Sequence, residues 1–355
     1  MPAGLPTDAP GLTPEWFTAV LDERYPGVEV TAVTELGRSS STNLHLRLGL
    51  EGAAAAGAPA SVFAKLPPPD PTHRQAIGAA AMGAREAHFY TQVAPTISMR
   101  VPDSYLAVTE DDGGYLLLLE DLGAGDIRVS AGTWAVPGDL AGRALEELAE
   151  LHVAYEDPAV RAERVAWAAP APPGDRGPML AKLDEVLTDH ADELSEDYVT
   201  VGRLYLQHHD ELDRVWNEGP QTLIHGDPHI GNLFVDGDRV GFLDWGMTTY
   251  GSALKDVSYF LTMGVDIDDR RRMQDDLLRH YLDVRTALGG SPIAFDQAWT
   301  AHRLLAGYNV LASFLGLTPP YNAPERQVFS GGFRHRAMAS LDDLETADAI
   351  RALVG

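Results

Sequence analysis

Two aspartates and an asparagine in the middle of the chain have the types and spacing for chemistry. The segment HGDPHIGN occupies residues 225–232, and Asp244 follows twelve residues after Asn232. A strand-like run leads into Asp227, and the hairpin-like segment NLFVDGDRVGFLDWG follows with a tight Asp-Gly turn. Because paired antiparallel strands bring their far ends together, we expect Asn232 and Asp244 to be neighbours close to Asp227.

This set of side chains favours phosphoryl transfer. Asn232 and Asp244 can supply hard oxygen ligands to Mg²⁺, which bridges the phosphates of a nucleotide. Asp227 can accept the proton of an acceptor hydroxyl or orient that hydroxyl. The D-x-x-x-x-N spacing is the one that the protein-kinase catalytic loop uses, and DWG stands where that fold has Asp-Phe-Gly.

The alternation of His225, Asp227 and His229 also permits a metal-dependent hydrolase. No other histidine cluster completes a three-ligand set at a known spacing. The alternative interpretation is structural: His225 hydrogen-bonds the loop backbone and holds Asp227 in place, while His229 faces either the acceptor or the solvent.

A kinase also needs a nucleotide-binding end, and the strand-rich part upstream offers one. Lys65 ends the strand-like run SVFAKL, and Glu86 lies on the helix predicted after it. An ion pair between them would aim the Lys65 ammonium at the α- and β-phosphates of ATP.

Two further segments complete this nucleotide-binding end. The segment LGRSSSTN (36–43) is predicted to lie between the first two strands as a phosphate-covering loop. Its backbone N–H groups and hydroxyls could donate to phosphate oxygens; the candidates are Gly37, Ser39, Ser40 and Ser41. The run LLLLEDLG then connects two lobes, and main-chain groups of Glu120 and Leu122 could hydrogen-bond the adenine edge, with Glu120 and Asp121 as surface acids.

The elements around these residues change character along the chain. Strand patterns and one main helix come first, as in the alternating NLHLRLGL, and helical patterns dominate after Gly125. We therefore predict an α+β protein-kinase-like fold with two lobes, an N-lobe with an antiparallel sheet and a mostly helical C-lobe. The expected limits are 1–119 for the nucleotide-binding lobe, 120–124 for the hinge and 125–355 for the catalytic and acceptor-binding lobe.

Composition excludes several classes of function. The 355 residues contain no cysteine, which excludes disulfides, thiolate metal sites and a cysteine nucleophile. The net charge of -25 argues against nucleic-acid partners and against an anionic membrane surface. It would suit a cationic acceptor, although an acidic solubilising surface is the favoured explanation. Without a signal-like or membrane-spanning run, the chain is expected to be cytoplasmic.

At this point the sequence resembles the aminoglycoside phosphotransferase and choline kinase superfamily, and most of all its ecdysteroid-kinase-like branch. HGDPHIGN and FLDWG carry the resemblance, with VFAKL, REAHFY and LLLLEDL in support. The resemblance implies ATP and Mg²⁺ dependence and phosphorylation of a small-molecule hydroxyl. It also implies Asp227 as catalytic base, Asn232 and Asp244 as metal ligands and Lys65 as the ATP contact. The phosphate loop departs from the family in having a single glycine, Gly37.

Two other functions remain as alternatives. A catalytically silent nucleotide-binding protein would share the fold, although the acids and the amide needed for chemistry are all present. A protein kinase is disfavoured because Gly226 replaces the usual arginine of the catalytic loop and no Ala-Pro-Glu element follows DWG. We further expect His152 to be a packed histidine, Asp256 to cap a helix or brace the catalytic loop, and the run 270–272 to be a solvated helix face.

Overall fold

Two units make up the chain in this computed structural model. The first comprises Met1–Val129 with Gly241–Thr248, and the second comprises Ser130–Val240 with Thr249–Gly355. The predicted limits of lobes and hinge stay a prediction. The structure describes residues 5–6, 8–40, 43–70, 74, 78, 81–110, 114–130, 132, 134–171, 174–319 and 321–355.

An antiparallel sheet of five strands dominates the first unit. Its spatial order is β1-β2-β3-β5-β4, so the two central strands are β3 and β5. The strands are β1 (Ala32–Ser40), β2 (Leu44–Glu51), β3 (Ser61–Leu66), β4 (Ser104–Thr109) and β5 (Tyr115–Glu120). Every side chain from Tyr115 to Leu119 is buried, so this leucine-rich strand is covered on both faces.

Helix α1 (Pro14–Leu21) packs on one face of this sheet. The Thr13 hydroxyl accepts a hydrogen bond from Trp16 N at 3.2 Å, and Pro14 occupies the first helical position, as the sequence predicts. The helix buries its apolar side against the leucines of β2, whose burial alternates along the strand. The opposite face of β2 carries His45 and Arg47, so the polar groups of this strand lie away from the core.

Helix α2 (Met82–His88) continues as a π-helical turn, Phe89–Val93, and buries Glu86, Phe89 and Tyr90. A short strand, β6 (Arg128–Val129), ends the first long stretch of this unit.

The second unit is mostly helical. Its helices are α3 (Gly138–Ala154), α4 (Pro158–Arg164), α5 (Gly177–Asp189), α6 (Glu196–Trp216), α7 (Ala253–Met263), α8 (Ile267–Ala287), α9 (Phe295–Leu305), α10 (Tyr308–Ser313), α11 (Gln327–Asp343) and α12 (Thr346–Val354). The remaining strands are β7 (Gln221–Ile224), β8 (Leu233–Asp236), β9 (Arg239–Phe242) and β10 (Thr249–Ser252). Strand β7 pairs antiparallel with β10. The predicted α+β class, with an antiparallel sheet first and helices afterwards, is confirmed.

One prediction about the second unit is wrong. The run 270–272 was expected to be a solvated helix face, but Arg270 is fully buried in α8 and ion-paired with Asp343. Arg271 and Arg272 are exposed as expected. A helix rotates by about 100° per residue, so a run of three arginines cannot all face the same way.

None of the helices within the described ranges is both long enough and apolar enough to cross a membrane.

Candidate active site

Lys65, at the end of β3, makes two ion pairs. Its Nζ lies 2.5 Å from Oε2 of Glu86 on α2 and 2.9 Å from Oδ1 of Asp244. The Lys65 and Glu86 side chains are 4% and 2% exposed, whereas that of Asp244 is 36% exposed, so only Asp244 presents the cluster to solvent. The predicted Lys65–Glu86 ion pair is confirmed. Its action on nucleotide phosphates stays a prediction.

The charges of this cluster stabilise one another. Burial by itself would lower the pKa of the Lys65 ammonium, but the carboxylates of Asp244 and Glu86 outweigh burial and raise that pKa above its usual value. Burial raises the pKa of Glu86 to about 7, against the lowering that Lys65 causes. Lys65 therefore stays a cation at neutral pH.

The turn after β9 aims Asp244 at Lys65. Asp244 has φ +61° and ψ +70°, a left-handed conformation that is costly for a residue with a side chain. The next residue, Trp245, is fully buried and stacks on Phe89 with 3.7 Å between ring centroids and 6° between planes. The packing of this indole, which the position of DWG predicts, supports the strained backbone of Asp244.

The predicted phosphate loop is shorter than expected. Gly37, Ser39 and Ser40 belong to β1 and pair with Arg47, His45 and Leu44 of β2. Serine and arginine side chains are compatible with an exposed strand, so the pairing continues past the expected strand end. The Ser39 hydroxyl lies 3.5 Å from Nδ1 of His45, and Ser41 lies outside the described residues.

The connector residues have partners that the sequence did not show. The N–H of Glu120 donates to the Asp103 carbonyl at 2.8 Å, so a contact with adenine would use the Glu120 carbonyl or main-chain groups of Leu122. The interpretation of the adjacent side chains as surface acids is wrong. Glu120 forms an ion pair with Arg100, and Asp121 is buried and binds both Ser61 and Arg47.

In the second unit, Asp256 on α7 supports the HGD loop, residues 225–227. The Asp256 carboxylate accepts hydrogen bonds from His225 N at 2.6 Å and from Gly226 N at 2.8 Å. Gly226 has φ +84°, a conformation that disfavours a side chain. The Asp227 N–H in turn donates to Nδ1 of His225 at 3.2 Å. Both expectations, that His225 holds Asp227 and that Asp256 braces the loop, are confirmed.

His152 completes this buried network. Its Nε2 lies 3.3 Å from Oδ2 of Asp256, and its Nδ1 lies 2.8 Å from the Tyr281 hydroxyl. Burial would raise the pKa of Asp256, but the hydrogen bond and charge of His152, the charge of His225 and the N–H of Gly226 lower it below the usual value. The prediction of a packed, hydrogen-bonded His152 is confirmed, and the bracing group is a buried carboxylate.

Asp227 and Asn232 are directly bonded. The amide nitrogen of Asn232 donates to the backbone carbonyl of Asp227 at 3.0 Å and to its Oδ2 at 3.0 Å. The amide oxygen of Asn232 therefore points away from Asp227. The expected proximity of Asn232 to Asp244 joins residues of different units and stays a prediction.

His229 is largely buried and so does not face the solvent, and whether it faces the acceptor stays a prediction. Its Nδ1 accepts a hydrogen bond from Gly231 N at 2.9 Å, so the proton of a neutral ring resides on Nε2. Nε2 lies 3.3 Å from Oδ2 of Asp227, and the ring packs edge-on against Phe333. His229 therefore contacts the candidate base itself.

Tyr259 is a site residue that the sequence reasoning missed. Burial first, and then the charge of Asp227, raise the pKa of the Tyr259 hydroxyl well above its usual value. Tyr259 thus stays protonated close to Asp227. The segment KDVSYFL offered a signal, because Tyr259 is four residues from Lys255 and three from Asp256, which places it beside the brace on α7.

The hydrolase alternative gains no support from this geometry. Nδ1 of both His225 and His229 already accepts a main-chain N–H. Throughout the part of the chain that the structure describes, no group of three or more His, Asp or Glu side chains is arranged to hold a metal ion.

Comparison with known proteins agrees with the fold. Residues 53–293 match the sequence model of the phosphotransferase enzyme family. Aminoglycoside 2'-phosphotransferase-IIIa in its GDP complex is 17% identical, with 96% of this chain and 99% of that chain covered and a TM-score of 0.52. APH(2")-IIia with GDP and kanamycin is 16% identical, with 96% and 99% covered and a TM-score of 0.52. No curated protein matches the sequence significantly. The ecdysteroid-kinase-like branch stays a prediction.

Proposed function

Because this chain belongs to the phosphotransferase enzyme family, we propose that it transfers the γ-phosphoryl group of ATP to a hydroxyl of a small molecule, with Mg²⁺ as the metal ion. The observation that carries the proposal is the bonded pair of Asp227 and Asn232 on a loop that the buried Asp256 braces. The similar structure of APH(2")-IIia is a complex with GDP and kanamycin; for the present chain, binding of ATP and of a hydroxyl acceptor is part of the proposal.

The donor side of the proposed reaction lies in the first unit. Lys65 keeps its charge through Glu86 and Asp244, and an ammonium held in place by a buried carboxylate is suited to bind phosphate oxygens. His45 and Phe63 lie on the neighbouring strands, with 5.3 Å between their ring centroids. We propose that the nucleotide lies along this face of the sheet.

The proposed metal ligands suit Mg²⁺ by their chemistry. Asp244 presents a partly exposed carboxylate, and Asn232 directs its amide oxygen away from Asp227 because the amide nitrogen is already used. Both are hard oxygen donors, the type that Mg²⁺ prefers. When bound, Mg²⁺ supplies positive charge that neutralises phosphate oxygens during transfer.

On the acceptor side, Asp227 orients the reacting hydroxyl. Asn232 and His229 fix the position of its carboxylate, and Tyr259 of α7 lies close to it. In the proposed step, the acceptor oxygen forms a bond to the γ-phosphorus while the bond from that phosphorus to the bridging oxygen of ADP breaks. The hydroxyl proton passes to the Asp227 carboxylate, and the products are a phosphate monoester and ADP.

Replacing the Asp227 carboxylate with an amide tests the role of Asp227 as the base. We expect Asp227→Asn to lower turnover by about 10²–10⁴-fold, the usual contribution of acid–base assistance. The dissociation constant of Mg·ATP should stay close to the wild-type value, because other residues form the proposed nucleotide-binding site. The measurement is a small-molecule library screen for ATP consumption with mass detection of a phosphate adduct, followed by calorimetry with Mg·ATP.

Asp192→Asn is the matched control, since Asp192 is an exposed aspartate in a turn of the same unit. It should behave like wild type in both measurements. Normal turnover in Asp227→Asn would remove Asp227 from the mechanism. ATP binding by the wild type with no phosphorylated acceptor across the library would instead support a catalytically silent protein.

A further inference from the structure

Lysine is scarce in this protein, and one lysine has no ion-pair partner among the residues that the structure describes. The sequence contains three lysines among 27 basic residues. Lys65 belongs to the ion-paired cluster of the first unit, and Lys182 pairs with Glu185 at 2.7 Å on an exposed helix face. Lys255 forms no ion pair and no hydrogen bond within the described ranges of the chain, and its recorded contact is with an aromatic ring.

Lys255 lies beside the candidate base. It lies in the first turn of α7, with Tyr259 one helical turn further along the same face. Its Nζ lies 4.6 Å from the ring centroid of Tyr308, and the Tyr308 ring packs edge-on against Tyr259 at 5.6 Å. Since the charge of Asp227 acts on the Tyr259 hydroxyl, the two phenol rings lie between the lysine and the base.

The carboxylates of Asp256 and Asp213 already have hydrogen-bond or ion-pair partners other than Lys255. Asp256 accepts from two main-chain N–H groups and neighbours His152. Arg176, which precedes α5 and whose positive charge acts on Lys255, is paired with Asp213. Burial and the positive charge of Arg176 lower the pKa of Lys255, against the raising effect of Asp256.

A partly buried cation without a counter-ion is costly, because it loses hydration without gaining a partner. The cation–π contact with Tyr308 returns only a part of that cost. An anion bound at the same place would supply the missing partner. The side chains of Tyr308 and Tyr259 lie between Lys255 and the candidate base Asp227. We therefore expect the anion that binds Lys255 to be part of the acceptor.

We propose that the acceptor is an anionic alcohol, a hydroxy compound whose carboxylate or phosphate group binds Lys255 while its hydroxyl lies at Asp227. This inference rests on the proposed function for the position of the hydroxyl. It is opposite in sign to what the net charge of -25 suggests, because Lys255 supplies a cation near the candidate base.

Acylation of amines gives a test that does not depend on turnover. Wild-type protein is treated near pH 7.5 with limiting acetic anhydride, and acetylation of the three lysines is followed by peptide mass spectrometry. A lowered pKa makes Lys255 reactive at this pH, whereas the buried Lys65 should react slowly. Lys182, which is exposed and remote in sequence from the proposed site, is the internal control.

The ligands are matched sets of small alcohols that carry a carboxylate, a phosphate ester or a neutral amide on the same carbon skeleton. We expect an anionic member to slow acetylation of Lys255 about tenfold at about ten times its dissociation constant, without affecting Lys182. Comparison of the carboxylate and phosphate series identifies which anion is preferred. Protection by the amides as strong as by the anions, or by no member at all, would overturn the inference.

Steady-state kinetics separate this inference from the proposed function. Lys255→Met should raise KM for an anionic acceptor by about tenfold to a hundredfold, the usual effect of losing a charged hydrogen bond, with a smaller change in kcat. Lys255→Arg should recover most of that loss, and Lys182→Met should match wild type. Protection of Lys255 without any phosphoryl transfer would remove the proposed function alone. Turnover limited to neutral or cationic acceptors, unchanged in Lys255→Met, would remove the anionic acceptor alone.

Discussion

At the residue scale, the buried ion pair of Lys65 and Glu86 is proposed to hold the lysine ammonium in place for nucleotide binding. Glu86 lies 2.5 Å from Lys65 and is hidden from solvent, so its replacement by glutamine leaves Asp244 as the remaining ion-pair partner of Lys65. We expect Glu86→Gln to lower kcat/KM for ATP by about tenfold to a hundredfold, because a buried hydrogen bond to a charged group contributes about 1.5–3 kcal/mol. The measurement is kcat/KM at varied Mg·ATP with a saturating acceptor.

The control for this variant is Glu35→Gln. Glu35 forms an ion pair with Arg38 on β1 of the same sheet, and both side chains are exposed. Exposed pairs contribute little, so this variant should keep wild-type kinetics. If Glu86→Gln and Glu35→Gln had equal kcat/KM values, the Lys65 cluster would have no role in nucleotide binding.

Single residues also show what the sequence could and could not predict. The Lys65–Glu86 pair and the proximity of Asp227 to Asn232 follow from motif spacing, since a short loop or a strand–helix unit fixes where their side chains meet. Asp121 was predicted as a surface acid, although Arg47 and Ser61 bury it. Its partners are 74 and 60 residues away in the chain, and such separations leave no periodic signal in the sequence.

At the element scale, α7 supports the HGD loop through a single carboxylate. Asp256 accepts two main-chain hydrogen bonds and lies against His152, all buried. We expect Asp256→Asn to lower the free energy of unfolding at pH 7 by about 2–3 kcal/mol, because one main-chain or histidine donor loses a charged acceptor. Urea unfolding followed by tryptophan fluorescence measures this difference. Asp283→Asn, an exposed aspartate on α8, should change it little.

The same carboxylate makes part of the stability depend on pH. The pKa of Asp256 is lower in the folded state than in the unfolded chain, so its contribution is complete above the unfolded pKa of about 4 and is lost as the pH falls through the folded pKa. The unfolding free energies of wild type and Asp256→Asn should therefore converge below about pH 4. A constant difference between them from pH 7 to pH 3 would mean that Asp256 is not ionised in the folded protein.

Elements were predicted well where a periodic pattern reports burial. The alternating leucines of β2 and the capped start of α1 are both found as expected. The end of β1 was not, because Gly37, Ser39 and Ser40 have the composition of a loop while pairing with β2 determines that they form a strand. The composition of a segment limits which secondary structures it can form. Whether it becomes a strand also depends on the segment with which it pairs.

At the scale of the whole molecule, the net charge follows directly from the amino-acid sequence. With 27 basic and 52 acidic residues the protein carries -25 at pH 7. Many basic side chains are held in ion pairs, among them Lys65, Arg47 and the buried Arg270. The excess negative charge is consequently spread over exposed acids, which repel one another in the folded state and less in the expanded unfolded chain.

Salt should therefore stabilise this protein at neutral pH. We expect a change from 0.02 M to 0.5 M NaCl at pH 7.5 to raise the free energy of unfolding by roughly 1 kcal/mol, which corresponds to about 1–2 °C in the midpoint of thermal unfolding for a chain of 355 residues. At pH 5, close to the isoelectric point of about 4.7, the net charge nearly vanishes and the same salt step should leave the midpoint almost unchanged. The pair of pH values is the control, because a general solvent effect of salt on apolar burial would act at both. Equal salt-induced shifts at pH 7.5 and pH 5 would show that self-repulsion does not limit the stability of the fold.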